Sequence, residues 1–227
     1  MGIITKKTID FLKQIKNNNN RQWFEDNRIK YEESHTEMIS FAENLIEKMN
    51  EHDRLVPMTG KKSLNRIYRD IRFSKDKTPY KQHWAGSMKR DTVWLRGGYY
   101  YNISHDEAFL ACGFWNPAKE DLKRIRDNIA MDATPLKTIL NSKSFKSTWR
   151  ELQGDQLKTA PKGYDKEHPD IILLRYKQFI VVKQFSIKEV LSDEFPDLCS
   201  RTFKTIRPFF DHMSEILTHD MNGEPLY

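Results

Sequence analysis

Residues 66–81 constrain the fold of this chain more than any other stretch. They hold six basic residues, two tyrosines and two aspartates in sixteen positions. Apolar side chains in and just before this segment recur at helical spacing, namely Leu64, Ile67, Tyr68 and Ile71. The pattern predicts an amphipathic helix over residues 64–72, followed by a structured loop through Pro79.

The arginines of this segment are spaced by three and predict a surface that binds anions. Arginine presents a planar fork of donors that fits phosphate or carboxylate. A second basic stretch begins at Lys162 and could face the same ligand. The candidate anion ligands are Arg66, Arg69, Arg72, Lys77, Lys81, Lys162 and Arg175. The alternative, in which the arginines form structural ion pairs with neighbouring acids, stays open because such networks use the same residue types.

Composition favours one folded domain over residues 1–227, since no Gly-, Ser- or Pro-rich linker divides the chain. Hydrophobic residues make up 38% and charged residues 31%, which is typical of a soluble protein with a hydrophobic core. Thirteen Phe, nine Tyr and five Trp can fill much of that core. The net charge of +6 suits an anionic ligand and equally an ordinary basic cytosolic protein.

The two cysteines, Cys112 and Cys199, lie far apart and predict neither a disulfide framework nor a zinc site. The N-terminus lacks the apolar run of a signal peptide, and no stretch approaches eighteen apolar residues. We therefore expect a cytoplasmic protein with no membrane segment. No histidine has metal-ligand spacing, so neither a metal nor a cofactor is predicted.

Three strands are predicted from β-type runs. Residues 99–103 and 108–114 flank a turn at residues 104–107, and residues 179–185 form a third run. Trp94 and Leu95 are expected in a strand that precedes this hairpin. Alternation sends Tyr99 and Tyr101 to one face of the hairpin and Tyr100 to the other.

Helices are predicted on both sides of the hairpin. Four asparagines at 17–20 would cap a helix over residues 21–50 with a break near Asn27. Another helix is predicted to begin at Asn116 and Pro117. Short helices are expected over residues 135–140 and 145–152, and a long helix over residues 196–219. Residues 171–176 fit either a helix or a strand. Segregated helices and a hairpin predict an α+β fold, with an antiparallel sheet packed against several helices.

Residues 161–169 add the only candidates for proton transfer. Asp165 could orient His168, whose imidazole titrates near neutral pH and could act as a base. In the alternative interpretation the segment is a turn, and Asp165 caps the helix that starts near Pro169. Whether the protein is an enzyme is left open by the sequence.

Three blocks of the sequence are similar to one bacterial family. They comprise residues 11–32 with the Asn18–Asn20 run and Trp23-Phe24, residues 66–81, and residues 161–177 with Pro161-Lys162-Gly163-Tyr164-Asp165. In these blocks the chain resembles the domain of unknown function 2461 family. The resemblance implies a compact cytosolic domain, and it implies no catalytic residues because that family has no established activity.

Three functional hypotheses follow, and none of them fixes the oligomeric state. The leading one is a pocket, with a catalytic role left open, for a small phosphorylated or carboxylated metabolite. The second is a nucleic-acid-binding module that uses the same basic surface, with an exposed aromatic pair of the hairpin stacking on bases. The alternative for these aromatic residues is packing in the core. The third is an interaction scaffold whose arginines form ion pairs.

Overall fold

The computed structural model describes residues 2–227, and these fold into helices and one sheet. The helices are α1 (Lys6–Asn17), α2 (Arg21–Asp26), α3 (Arg28–Asn50), α4 (Gly60–Ser63), α5 (Lys119–Met131), α6 (Thr134–Asn141), α7 (Lys143–Thr148), α8 (Ile171–Leu174), α9 (Ile187–Val190), α10 (Phe195–Lys204) and α11 (Arg207–Thr218). The strands are β1 (His83–Lys89), β2 (Gly98–Ser104), β3 (Ala108–Phe114) and β4 (Phe179–Phe185). The predicted α+β class is confirmed.

The strands form one antiparallel sheet in the order β1-β2-β3-β4. The predicted hairpin and its turn are confirmed, since the Ser104 amide donates to the Glu107 carbonyl at 2.8 Å. Tyr99 and Tyr101 point into the core, while Tyr100 is half-buried on the other face. The expected strand at Trp94 is wrong, because residues 91–95 form turns and the strand before the hairpin is β1.

The chain divides into two compact units, and the predicted single domain over residues 1–227 stays a prediction. Unit 1 comprises the described part of residues 1–88 together with 100–110 and 184–201. Unit 2 comprises residues 89–99, 111–183 and 202–227. In the core of unit 1, Phe41 packs edge-on against Tyr101. In the core of unit 2, Tyr99 packs between Phe203 and Phe210.

The predicted helix over residues 64–72 is wrong. The chain leaves α4 at Leu64 and runs extended beside β1 and the residues that precede it, with antiparallel bridges from Leu64 to Gly86 and from Tyr68 to Tyr80. The Asn65 amide donates to the Ala85 carbonyl at 2.8 Å. The aromatic and β-branched residues that gave a helical phase suit an extended segment equally well, and long-range backbone pairing decides between them.

Helix boundaries follow local caps where these are strong. The break at Asn27 is confirmed between α2 and α3, and the Asn20 side chain caps α2 by accepting from the Trp23 amide. The helix expected to open at Pro117 begins two residues later, at Lys119. The long helix expected over residues 196–219 is two helices, because Pro208 has no N–H and lies in the first turn of α11.

Residues 2–227 contain no helix that is both long enough and apolar enough to cross a membrane.

Candidate anion-binding cleft

Residues 66–81 are held in place by the asparagine run that precedes α2. The Asn19 side chain donates from Nδ2 to the Tyr80 carbonyl at 2.9 Å, and its Oδ1 accepts from the Tyr80 amide at 3.0 Å. A carboxamide carries one donor and one acceptor side by side, so it pairs with the backbone as a neighbouring strand would. Two backbone hydrogen bonds join the ends of the segment: the Arg69 amide donates to the Pro79 carbonyl at 2.9 Å, and the Lys81 amide donates to the Ile67 carbonyl at 2.8 Å.

Aromatic rings from the helices support the same segment. Phe24 of α2 stacks on Tyr80 with ring centroids 4.0 Å apart and an interplanar angle of 11°. Tyr68 packs against both of these rings at 5.9 and 5.4 Å. On α3, Tyr31 stacks on Trp84 of β1 at 5.9 Å. These ring contacts hold the two ends of the segment, at Tyr68 and Tyr80, against the helices.

Arg69 is neutralised within the segment. Its guanidinium donates to the Asp76 carboxylate and to the Thr78 hydroxyl and carbonyl. The Thr78 amide donates to Asp76 at 2.9 Å. The Thr78 amide, the Arg69 guanidinium and the Thr78 hydroxyl together lower the pKa of Asp76 to about 2. Arg69 thus closes the loop over residues 70–78.

Arg72 and Lys77 also have protein partners. Arg72 binds Asp70 through two parallel bonds of 3.0 and 2.7 Å, which lower the pKa of Asp70. Lys77 donates to the Ile71 carbonyl at 2.9 Å. Two of the three candidate arginines in this segment are therefore occupied by carboxylates.

Arg66 and Lys81 differ from those residues because neither forms an ion pair with any residue in the described range 2–227. Burial and, second, the charge of Arg66 lower the pKa of Lys81. Burial and, second, the charge of Lys81 lower the pKa of His83, the first residue of β1. We refer to Arg66, Lys81 and His83 as the basic cluster. Its members repel one another, so an anion bound among them would be stabilised.

An open polar cleft of about 670 Å³ begins at His83 and extends along the sheet. Its lining residues are Lys16, Gln82, His83, Asn102, Ser104, His105, Asp106, Glu107 and Phe109. The end at the hairpin turn is balanced in charge, because Lys16 and the His105 Nδ1 lie 3.3 and 3.0 Å from the Asp106 carboxylate. At its other end the cleft reaches the basic cluster through His83, on which the charge of Lys81 acts.

The third sequence block belongs to unit 2, where its residues have local partners. Arg175 donates to the Leu157 carbonyl at 2.6 Å, and Lys162 is exposed. The Tyr164 hydroxyl donates to Asp127 at 2.8 Å; burial first, and then this bond and the negative charge, raise the pKa of Tyr164 to about 12. These contacts fix the turn in place.

Asp165 and His168 do not share a side-chain hydrogen bond. The Asp165 carboxylate accepts from the Glu167 amide at 2.9 Å, within the turn. His168 Nδ1 accepts from the Asp170 amide at 3.0 Å, and Nε2 lies 3.2 Å from the Ala130 carbonyl. Both ring nitrogens are satisfied by the tautomer with its hydrogen on Nε2. A proton-transfer role for the pair stays a prediction.

Among residues 2–227, no group of three or more His, Cys, Asp or Glu side chains is arranged to hold a metal ion.

The residues that line the cleft, above all His83 and Asn102, were not predicted as site residues from the sequence. His83 belongs to no recognisable motif, and Asn102 belongs only to the glycosylation sequon Asn102-Ile103-Ser104, which does not indicate a cleft. Strand pairing brings each of them to the cleft. One signal was present: His83 lies two residues after the end of the basic segment and is the first residue of β1 (residues 83–89). Alternation along β2 places Asn102 on the same face as Tyr100.

The model of the conserved hypothetical protein family DUF2461 matches residues 7–212. The chain belongs to this family. No curated protein and no solved structure matches it. The match includes all three blocks, residues 11–32, 66–81 and 161–177, so the sequence resemblance is confirmed over nearly the whole chain.

Proposed function

We propose that this DUF2461 protein binds a small phosphorylated or carboxylated compound at the basic cluster. The observation that supports the proposal is a difference in pairing. Arg69 and Arg72 of the same segment are bound by Asp76 and Asp70, while Arg66 and Lys81 are not paired with any described carboxylate. The carboxylate on which the charge of Arg66 acts is that of Asp70, which Arg72 already binds. Cations that form no ion pair within the described chain and lie beside a histidine of a cleft suit an anionic ligand.

The three side chains offer complementary donors to such a ligand. Arg66 presents a planar fork, and Lys81 adds a compact positive charge. His83 can add a third positive charge when it binds a proton. Each charge-assisted hydrogen bond contributes about 1.5–3 kcal/mol, so two or three of them suffice for binding in the micromolar to millimolar range.

Calorimetric titration of the full chain with sulfate, inorganic phosphate and pyrophosphate tests the proposal. We expect Lys81→Gln to weaken binding at least about 10-fold. Lys75→Gln is the matched control, because Lys75 is exposed on the loop outside the cleft and the charge change is the same. Absence of binding by all three anions, or an equal loss in both variants, would rule out a specific site.

A structural role is supported for Arg69 and Arg72, as the scaffold hypothesis expects. Their carboxylate partners lie within the same segment, and Arg69 also donates to Thr78. Exchanging the charges, as in Arg69→Asp with Asp76→Arg, should recover part of the stability that either single change removes. A double variant no more stable than the single ones would argue against an ion-pair role.

We further infer a reducing, cytoplasmic setting. Cys112 and Cys199 are both free and buried, and burial raises the pKa of each thiol well above its usual value. Such thiols are poorly reactive and suit a compartment where disulfides are rare. Co-fractionation of the protein with cytoplasmic markers after cell lysis tests this inference.

A further inference from the structure

The cleft continues from the basic cluster onto a sheet face that carries two aromatic rings. Phe109 of β3 lines the cleft, and Tyr100 of β2 lies beside it with ring centroids 6.0 Å apart. Both rings are half-buried, whereas the tyrosines on the opposite face of β2 are fully in the core. A half-exposed ring on a sheet is a platform on which a flat ligand can stack.

Asn102 lies on the same sheet face and is only 7% exposed. Its Nδ2 donates one bond, of 3.3 Å, to the Tyr100 hydroxyl. Its Oδ1 accepts no hydrogen bond from residues 2–227. A polar side chain this deeply buried usually has its acceptors filled by protein or by a bound molecule. Because Asn102 lines the cleft, this acceptor is available to a ligand.

A carboxamide places a donor and an acceptor next to each other, and the amide or amidine edge of a nucleobase has the matching pattern. An aromatic ring and a carboxamide on neighbouring strands therefore form a site for a flat heterocycle. The basic cluster borders the same cleft at His83. The volume of about 670 Å³ lies in the range of roughly 300–1,000 Å³ that small-molecule sites occupy.

We infer that the anionic ligand is a nucleoside monophosphate or a compound of the same class, with a heteroaromatic ring and a phosphate group. The ring stacks on Phe109, and its polar edge binds the carboxamide of Asn102. The phosphate binds at the basic cluster. This inference rests on the proposed anion site and narrows the class of its ligand.

The test is a calorimetric comparison, on the full chain, of AMP, GMP, CMP and UMP with ribose 5-phosphate and inorganic phosphate. We expect at least one nucleotide to bind 10-fold or more tightly than ribose 5-phosphate. Phe109→Leu should lower the affinity for that nucleotide by roughly 5- to 150-fold, because stacking on an aromatic ring contributes that factor per base. The affinity for ribose 5-phosphate should stay unchanged. Phe73→Leu is the matched control, because Phe73 is 96% exposed and lies outside the cleft.

The outcomes separate the two proposals. Two results would contradict the proposal that the ligand carries a heteroaromatic ring: ribose 5-phosphate binding as tightly as every nucleotide, or Phe109→Leu having no effect on nucleotide binding. Neither result would contradict the proposed anion site. If nucleotides bind and Lys81→Gln does not change their affinity, the proposed anion site at the basic cluster is contradicted. If none of the six compounds binds, both are wrong. Should Phe109→Leu fail to fold, the ranking of ligands on the unaltered protein decides.

Discussion

The carboxamide of Asn19 forms two hydrogen bonds with the backbone of Tyr80, one to its carbonyl and one from its amide. This pairing connects the asparagine run before α2 to the basic segment of residues 66–81. The Tyr80 ring stacks on Phe24 of α2, so the backbone and side chain of Tyr80 are held by residues 19–24, at the start of α2. The position of Lys81, the next residue, follows from this contact.

Replacing Asn19 with Ala should therefore destabilise the protein by about 2 kcal/mol, because the amide and carbonyl of Tyr80 lose their partners. Asn18→Ala is the control: the Asn18 side chain donates only to the Gln14 carbonyl at an exposed helix end, and we expect less than about 1 kcal/mol. Urea unfolding monitored by tryptophan fluorescence measures the loss of unfolding free energy in both variants. Equal losses would mean that the Asn19 pairing contributes nothing beyond an exposed helix-end bond.

Asp76→Asn should loosen the loop over residues 70–78. Hydrogen exchange at the Thr78 amide, which donates to Asp76, should become faster, while exchange in β3 stays unchanged. The native pKa of Asp76 is lowered from 3.8 to about 2, so its contribution to stability is complete above pH 3.8 and is lost as the pH falls toward 2. The variant should show a smaller loss of stability than the wild type between pH 5 and about 2. An unchanged exchange rate at Thr78 would contradict the loop geometry.

Sulfate should bind more tightly as the pH falls from about 8 to 5.5. Burial and the charge of Lys81 hold the pKa of His83 below its usual 6.5 in the free protein, and a neighbouring anion would raise it. Anion binding therefore takes up a proton at His83, and affinity rises as the pH passes down through this range. Sulfate is the probe because its own charge does not change there.

In His83→Gln the pH dependence of sulfate binding should disappear, while the affinity at pH 8 changes little because His83 is neutral there. Titrations at four pH values on both proteins measure this. A pH profile that is the same in wild type and variant would show that His83 does not face the bound anion.

Gly113→Ala should be among the most destabilising single changes in unit 2. Gly113 has φ +134°, and a Cβ there would lie 2.1 Å from the Phe179 carbonyl oxygen. We expect a loss of about 3 kcal/mol or more from backbone strain and the clash between β3 and β4. Gly163→Ala is the control, because it also has a positive φ, of +92°, but meets no atom within 4 Å. It should cost about 1–2 kcal/mol, as judged from thermal unfolding.

Features that depend on neighbouring residues were predictable from the sequence. The hairpin of β2 and β3 follows from alternation around a polar turn, and the break at Asn27 follows from local capping. The match to DUF2461 was visible in three blocks of residues. The helix predicted over residues 64–72 was wrong for a physical reason, because the same apolar spacing fits a helix and an extended segment. The backbone hydrogen bonds that decide between them go to residues 79–86, which lie further along the chain.

The sequence by itself determined that residues 66–81 are rich in cations, that Tyr99 and Tyr101 share one face of the hairpin, and that the fold is α+β. Only the tertiary structure decided which of those cations are neutralised. Ion pairing depends on distances of a few ångströms, and these are set by the folding of residues 70–78 around Arg69 and by the pairing of the segment with β1. For the same reason only the tertiary structure shows that, of the predicted cations in this segment, Arg66 and Lys81 form no ion pair within residues 2–227, and that His83 lies next to Lys81.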